Sequence, residues 1–253
     1  MCVLASKSGI LTGRRLAREL GLRFHTNANK IRPNSSVIIR YGNAQESDRI
    51  ADDTECNSRE SIIRCSNKHK LFYYLRDSDI LTPEYFPYKR GMIIPDKLGE
   101  RFLSRKREHR AGKDIVVMER EQIVPYSTEY LVPLYENIIR EYRVHVVFNN
   151  VVKVMRKYPI DEDANPIIKT ASFGWQYKRS SMERVECSDS MRKAALKVAE
   201  ILGLTFCGVD MAWSGKEKGL GRWIVWEVNS APSLNSDSLK LYVDLFKKNL
   251  ARR

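Results

Sequence analysis

The sequence predicts an α+β fold built on antiparallel sheets, and three segments predict it. EYRVHVVF, the pair Asn149-Asn150 and VVKVMRK read as a β-hairpin, because Asn tolerates the positive φ that a two-residue turn demands. CGVDMAW, the Gly/Lys-rich turn SGKEKGLG and RWIVWEVN read as a second hairpin. Residues 188–203, SDSMRKAALKVAEILG, form an amphipathic helix with a Ser/Asp start and a Gly203 stop.

In chain order, residues 1–65 read as a short N-terminal α/β region. Gly9 to Gly13 leads into RRLARELG, where Leu16 and Leu20 recur at helical spacing and Gly21 ends the helix. Val37-Ile38-Ile39 is a buried strand closed by the turn Tyr41-Gly42-Asn43. Residues 66–132 form a second unit. It opens with a helix over Ser66 to Asp77, capped by Ser66 or Asn67, with Leu71, Tyr74 and Leu75 inward, and Ile80-Leu81-Thr82-Pro83 stops it. Strand and loop then alternate through FLSRK, the polar HRAGKD, IVVMER and EYLVP. Residues 133–253 hold the two hairpins, the 188–203 helix and a closing helix around Ser236 to Asn249.

Of 253 residues, 43% are apolar and 30% charged, enough to bury a core and too apolar for whole-chain disorder. No run of about 18 apolar residues is present, and the N-terminus lacks the apolar stretch of a secretory signal, so a cytoplasmic protein without a membrane partner is expected. Cys2, Cys56, Cys65, Cys187 and Cys207 are scattered with no CxxC pair, which suggests buried reduced thiols rather than a disulfide framework or zinc site. The net charge of +13 points to an anionic partner without naming it.

The second hairpin holds the chemistry. In an extended strand residues two apart share a face, so Glu227 and Asn229 point one way and Ile224, Trp226 and Val228 the other. On the preceding strand Asp210 opposes Val209, Met211 and Trp213, so the hairpin brings Asp210, Glu227 and Asn229 onto one surface. Three hard oxygen donors suit Mg²⁺ or Mn²⁺. Taken alone, the two acids can equally be solvent-facing strand residues, but inside such apolar strands they are costly to bury unless paired or metal-bound. Arg143, His145 and Lys153, with Arg156-Lys157 closing the strand, are expected to line one face with cations, His145 being structural.

The GVD strand followed by WEVNSAPSL resembles the C-terminal half of the ATP-grasp superfamily, and the likeness runs from about Ser66 to Leu234. It implies two α/β subdomains with antiparallel sheets sandwiching ATP, with Mg²⁺ at Asp210, Glu227 and Asn229. It further implies Lys68 of SNKHK, then Arg105 and Lys113, as phosphate contacts, although Arg105 stands where relatives more often carry Lys and the loop has one glycine. Glu129-Tyr130-Leu131 matches the hinge strand at adenine, and either Glu136 or Glu141 the acid at the ribose. The first hairpin is similar to the RimK-like branch of amino-acid ligases, which gives Arg143 and Arg156 a catalytic role and Lys157 a phosphate role. The stretch Lys169 to Gln176 stands where that branch contacts phosphate and acceptor, without its usual Asn-x-x-x-Gly-Gly.

The implied reaction is ATP-dependent joining of a carboxylate to an amine through an acylphosphate, with an amino acid and an acidic peptide or protein as candidate substrates. Two rivals stand beside it. One is an ATP-grasp kinase. The other is a nucleic-acid binder using the basic N-terminal region with Tyr41, Tyr73, Tyr74 and Tyr85 as stacking rings, although tyrosines in LFYYLRD read as core.

Overall fold

The computed structural model describes residues 1–33, 35–51, 54–106, 115–135, 137–178, 187–215 and 221–251. They form three sheets. The first is parallel, with β1 (Cys2–Ala5), β2 (Arg23–His25), β3 (Ile38–Tyr41) and β4 (Glu55–Cys56) in the order β2-β1-β3-β4. Helix α1 (Ile10–Leu20) begins earlier than the sequence predicts and takes Gly13 into its interior. A Cβ at Gly13 would lie 2.8 Å from that of Ala5, so the glycine is there to let the helix approach β1. Gly21 adopts φ 67° and closes the helix as expected.

Helix α2 (Arg59–Cys65) was not anticipated, and it leads into α3 (Lys68–Leu75), capped by Asn67. Helix α3 is shorter than the predicted 66–77, and its buried stripe is Leu71, Phe72 and Leu75. These three fall within an arc of about 100° on the helix, and Tyr74 falls outside it and is 42% exposed.

The second sheet is antiparallel, with β5 (Phe86–Pro87), β6 (Arg101–Arg105), β7 (Ile115–Glu119) and β8 (Tyr130–Pro133) in the order β5-β8-β6-β7. Leu98, Phe102, Met118, Val124 and Leu131 form its own small core. The polar HRAGKD loop falls on residues 109–114, outside the described residues.

The third sheet positions the chemistry. Strands β9 (Ile138–Val147), β10 (Asn150–Pro159), β11 (Trp175–Lys178), β12 (Phe206–Gly215) and β13 (Gly221–Asn229) run antiparallel in the order β11-β10-β9-β12-β13. Helix α4 (Asp189–Leu202), capped by Ser188 and ended by Gly203, covers one face through Met191, Ala195, Val198 and Leu202. The β9–β10 turn is Phe148-Asn149, with φ 45° and 59°, one residue earlier than Asn149-Asn150. Packing overrides the local preference: the Phe148 ring sits 5.2 Å from that of Phe246 on α5 (Ser236–Leu250). Among the described residues no helix is long and apolar enough to cross a membrane.

Candidate active site

Register across the third sheet places Arg143 on β9 opposite Asp210 on β12, and Asp210 opposite Glu227 on β13. Directly opposed residues share a face, so the three stand in one row. Arg143 donates from Nε and Nη2 to the two carboxylate oxygens of Asp210, each at 2.6 Å. Burial works against the charge on Arg143, but the adjacent Asp210 carboxylate more than offsets it and holds the guanidinium protonated far beyond its ordinary range. Glu227 lies 3.9 Å from Nζ of Lys68, in the first turn of α3. Burial, reinforced by the charge of Arg105, lowers Lys68 to about 8.

A second row lies one step along the sheet. Nζ of Lys157 on β10 donates to Glu141 on β9 at 2.5 Å and to the carbonyl of Lys169 at 2.8 Å. Tyr177 on β11 pairs with Lys157 in the ladder. Its ring centroid is 4.5 Å from the Arg143 guanidinium carbon and 5.1 Å from Lys157 Nζ. Burial pushes the Tyr177 hydroxyl well above its ordinary range, so it stays protonated.

Asp210 and Glu227 of the first row and Glu141 and Lys157 of the second line a cavity of about 440 Å³. Lys68, Glu141, Lys157, Asp210, Trp226 and Glu227 line one side, Arg101, Leu103, Arg105 and Ile115 of the second sheet the other, with Pro133-Leu134-Tyr135 and residues 166–170 between. A hollow of about 510 Å³ adjoins it across Arg101, Leu134 and Tyr135. Five basic side chains (Lys68, Arg101, Arg105, Lys157, Lys169) against three acidic ones (Glu141, Asp210, Glu227) make the cavity a place for a polyanion.

Asn229 is two residues beyond Glu227 and pairs with Gly208, two before Asp210, so the three metal-type donors share one face. The Asn229 amide nitrogen is buried with no hydrogen-bond partner among the described residues, and the amide can turn either atom toward a ligand. Among the described residues no three His, Cys, Asp or Glu cluster as a self-sufficient metal cage. Two carboxylates and one amide oxygen, with phosphate oxygens completing the shell, are a donor set that fits Mg²⁺.

Other expected residues need correction. Successive strand residues face opposite sides, so Arg156 and Lys157 cannot both reach the cavity. Lys157 lines it, and Arg156 pairs with Tyr142 on the opposite face, its guanidinium 4.8 Å from the Tyr158 ring. The wider cationic stripe is broken as well. His145 is fully buried with Nδ1 3.0 Å from the Tyr242 hydroxyl, and Lys153 donates to Asn235.

Glu129 is exposed, its N–H donating to Arg105 and its carbonyl accepting from Tyr88. Tyr130 and Leu131 pair with strands on both sides, so the continuation Pro133-Leu134-Tyr135 lines the cavity in place of Glu129-Tyr130-Leu131. Of the two ribose candidates, Glu141 faces the cavity, and Glu136, like Lys113, lies outside the described residues.

A β-bulge between Asp210 and Met211 pairs Met211 with Val225, so alternation on β13 breaks at Trp226. Trp226 therefore lines the cavity beside Glu227, and its ring meets Tyr135 edge-on at 5.6 Å. Tyr73 and Tyr74 are exposed rather than core, each covered by an arginine, Arg76 and Arg64. Tyr41 is fully buried and donates to the carbonyl of Pro232. None of the five cysteines is in a disulfide, and four are buried. Cys65 neighbours the site, beside Ser230, and burial raises its thiol to about 11.

Sequence reasoning missed Arg101, Tyr135, Tyr177 and Trp226 as site residues. Lys169 carries a signal in the sequence, because it opens the polar stretch that runs to Gln176. The bulge that turns Trp226 inward left none.

Residues 107–252, more than half of the chain, match the RimK-like ATP-grasp domain. No curated protein matches the sequence. Among solved structures, D-alanine–D-alanine ligase from Bacillus anthracis is similar with TM-score 0.65 and 14% identity, over 99% of this chain and 95% of that one. The ATP-grasp ligase PsnB, complexed with minimal precursor, gives TM-score 0.65 and 13% identity over 100% and 99%. D-cycloserine synthetase DcsG gives 0.61 and 14% over 98% and 99%. At such identities these likenesses establish the ATP-grasp fold, and with the domain match over residues 107–252 the chain belongs to the RimK-like ATP-grasp family of ATP-dependent ligases.

Proposed function

We propose that the protein is a cytoplasmic Mg²⁺-dependent carboxylate–amine ligase whose working units are residues 1–65, 66–132 and 133–253. The observation that carries this reading is that Asp210, backed by Arg143 on the neighbouring strand, and Glu227 line a cavity with excess positive charge. Asp210, Glu227 and Asn229 would hold Mg²⁺ (or Mn²⁺), which when bound supplies charge neutralisation at the phosphates. Arg143, Lys157, Lys68 and Arg105 meet phosphate oxygens, Glu141 accepts from ribose hydroxyls, and Leu103, Ile115 and Pro133-Leu134-Tyr135 take the base.

The chemistry needs little from the protein beyond position and charge. A carboxylate oxygen of one substrate attacks the γ-phosphorus of ATP and ADP leaves with the bonding electrons. The amine nitrogen of the second then attacks the acyl carbon of the acylphosphate, phosphate departs and an amide remains. Arg143 and Lys157, fixed on neighbouring strands, stabilise charge on the transferring group without reorganising. Structurally similar ligases were solved with a precursor peptide or are named for D-alanine, which supports an amino acid or peptide as substrate here.

The test is ADP release screened over pairs of amino acids and peptides, followed by intact mass of the product. The expected product is lighter by one water than the sum of its two substrates. ADP with a phosphorylated product and no amide would instead identify a kinase. Metal-independent, salt-sensitive polynucleotide binding without ATP turnover would favour the nucleic-acid reading.

A further inference from the structure

Each cation of the two rows is tied to a carboxylate that the proposed ligands need. Arg143 is held by Asp210, a metal candidate, and Lys157 by Glu141, the ribose candidate. When a ligand shares either carboxylate, the cation behind it loses part of its anchor. Two positive groups on adjacent strands also repel one another.

Among the described residues, Tyr177 is the one whose ring lies over both. It projects from β11, two strands and roughly 10 Å from β9, and its ring reaches across β10 to lie within cation–π range of Arg143 and of Lys157.

We propose that Tyr177 is a positioning residue, a shared second anchor that keeps Arg143 and Lys157 in place once ligands engage Asp210 and Glu141. The proposal rests on the ligase reading only for what fills the cavity. An aromatic face suits this task, since it attracts a cation without competing for metal or for hydroxyls. In the ligand-free protein the carboxylates already hold both cations, so loss of the ring should cost little there and much in the loaded state. A merely structural tyrosine would behave in the opposite way.

The test compares wild type, Tyr177→Phe and Tyr177→Leu by thermal melting without ligand and by calorimetric titration with Mg²⁺ and the non-hydrolysable analogue AMPPNP. Tyr177→Leu is expected to melt within a few degrees of wild type and to bind Mg²⁺–AMPPNP about tenfold more weakly, the size of one or two cation–π contacts. Tyr177→Phe, which keeps the ring, should bind within about twofold of wild type. Unchanged affinity in Tyr177→Leu overturns the proposal. So does a Tyr177→Phe variant as weak as Tyr177→Leu, or a Tyr177→Leu protein that melts far lower and yet, where folded, binds normally. Tight binding by wild type without amide product would defeat the ligase reading and leave the anchor intact. No binding by wild type would defeat both.

Discussion

His145 stands two residues from Arg143 on the same face of β9, and its surroundings give it a different task. Burial, reinforced by the neighbouring positive charge of Arg143, lowers its imidazole to about 3. The native protein therefore keeps a neutral ring hydrogen-bonded to Tyr242, whereas the unfolded chain takes up a proton near the ordinary 6.5. Above 6.5 neither state is penalised, and as pH falls from there toward 3 stability is lost at up to about 1.4 kcal/mol per pH unit. Urea unfolding at several pH values should show this slope in wild type and a shallower one in His145→Gln. Equal slopes would mean that His145 is not a buried neutral imidazole. The residue types were readable from sequence at this scale, and strand parity was enough to group Asp210, Glu227 and Asn229. Parity also separates Arg156 from Lys157, and only tertiary context could show that Trp226 breaks it.

Elements meet where side chains imitate backbone. Asn57, with φ 61° and full burial, donates from Nδ2 to the carbonyl of Phe206 at 2.9 Å and accepts from its N–H at 3.0 Å, so a loop residue acts as a strand partner for β12. Tyr41 and Phe206 stack beside it at 5.8 Å, in a core shared by the first and third sheets. Asn57→Ala leaves a buried N–H and carbonyl unpaired and should cost roughly 2–4 kcal/mol in chemical unfolding. A change within 0.5 kcal/mol, about the scatter of neutral surface substitutions, would show that the joint does not depend on it. The helices over 188–203 and 236–249 and both hairpins were legible because their periodicity and caps are local. The turn at Phe148-Asn149 was not, since a contact with Phe246, almost a hundred positions away, decides it.

Across the whole molecule the cavity belongs to no single element. The second sheet brings Arg101, Leu103 and Arg105, the third brings the two rows, and α3 brings Lys68. The net charge of +13 is only partly spent here: Arg14, Arg18, Lys240, Lys247 and Lys248 are exposed on α1 and α5, away from the cavity lining. The fold could be anticipated from GVD and WEVNSAPSL, but the hinge could not, because β8 is flanked by strands on both sides and it is its last residue, Pro133, with Leu134 and Tyr135 beyond it, that lines the cavity. The central claim is that the Asp210–Glu227 pair holds a metal–nucleotide complex. Calorimetric titration of AMPPNP into wild type and Asp210→Asn, each with Mg²⁺ and with EDTA, tests it most directly. The expected result is binding by wild type that weakens at least about tenfold when Mg²⁺ is removed or Asp210 is neutralised, the scale of a lost charge-assisted contact. Equal affinity in all four titrations would contradict it.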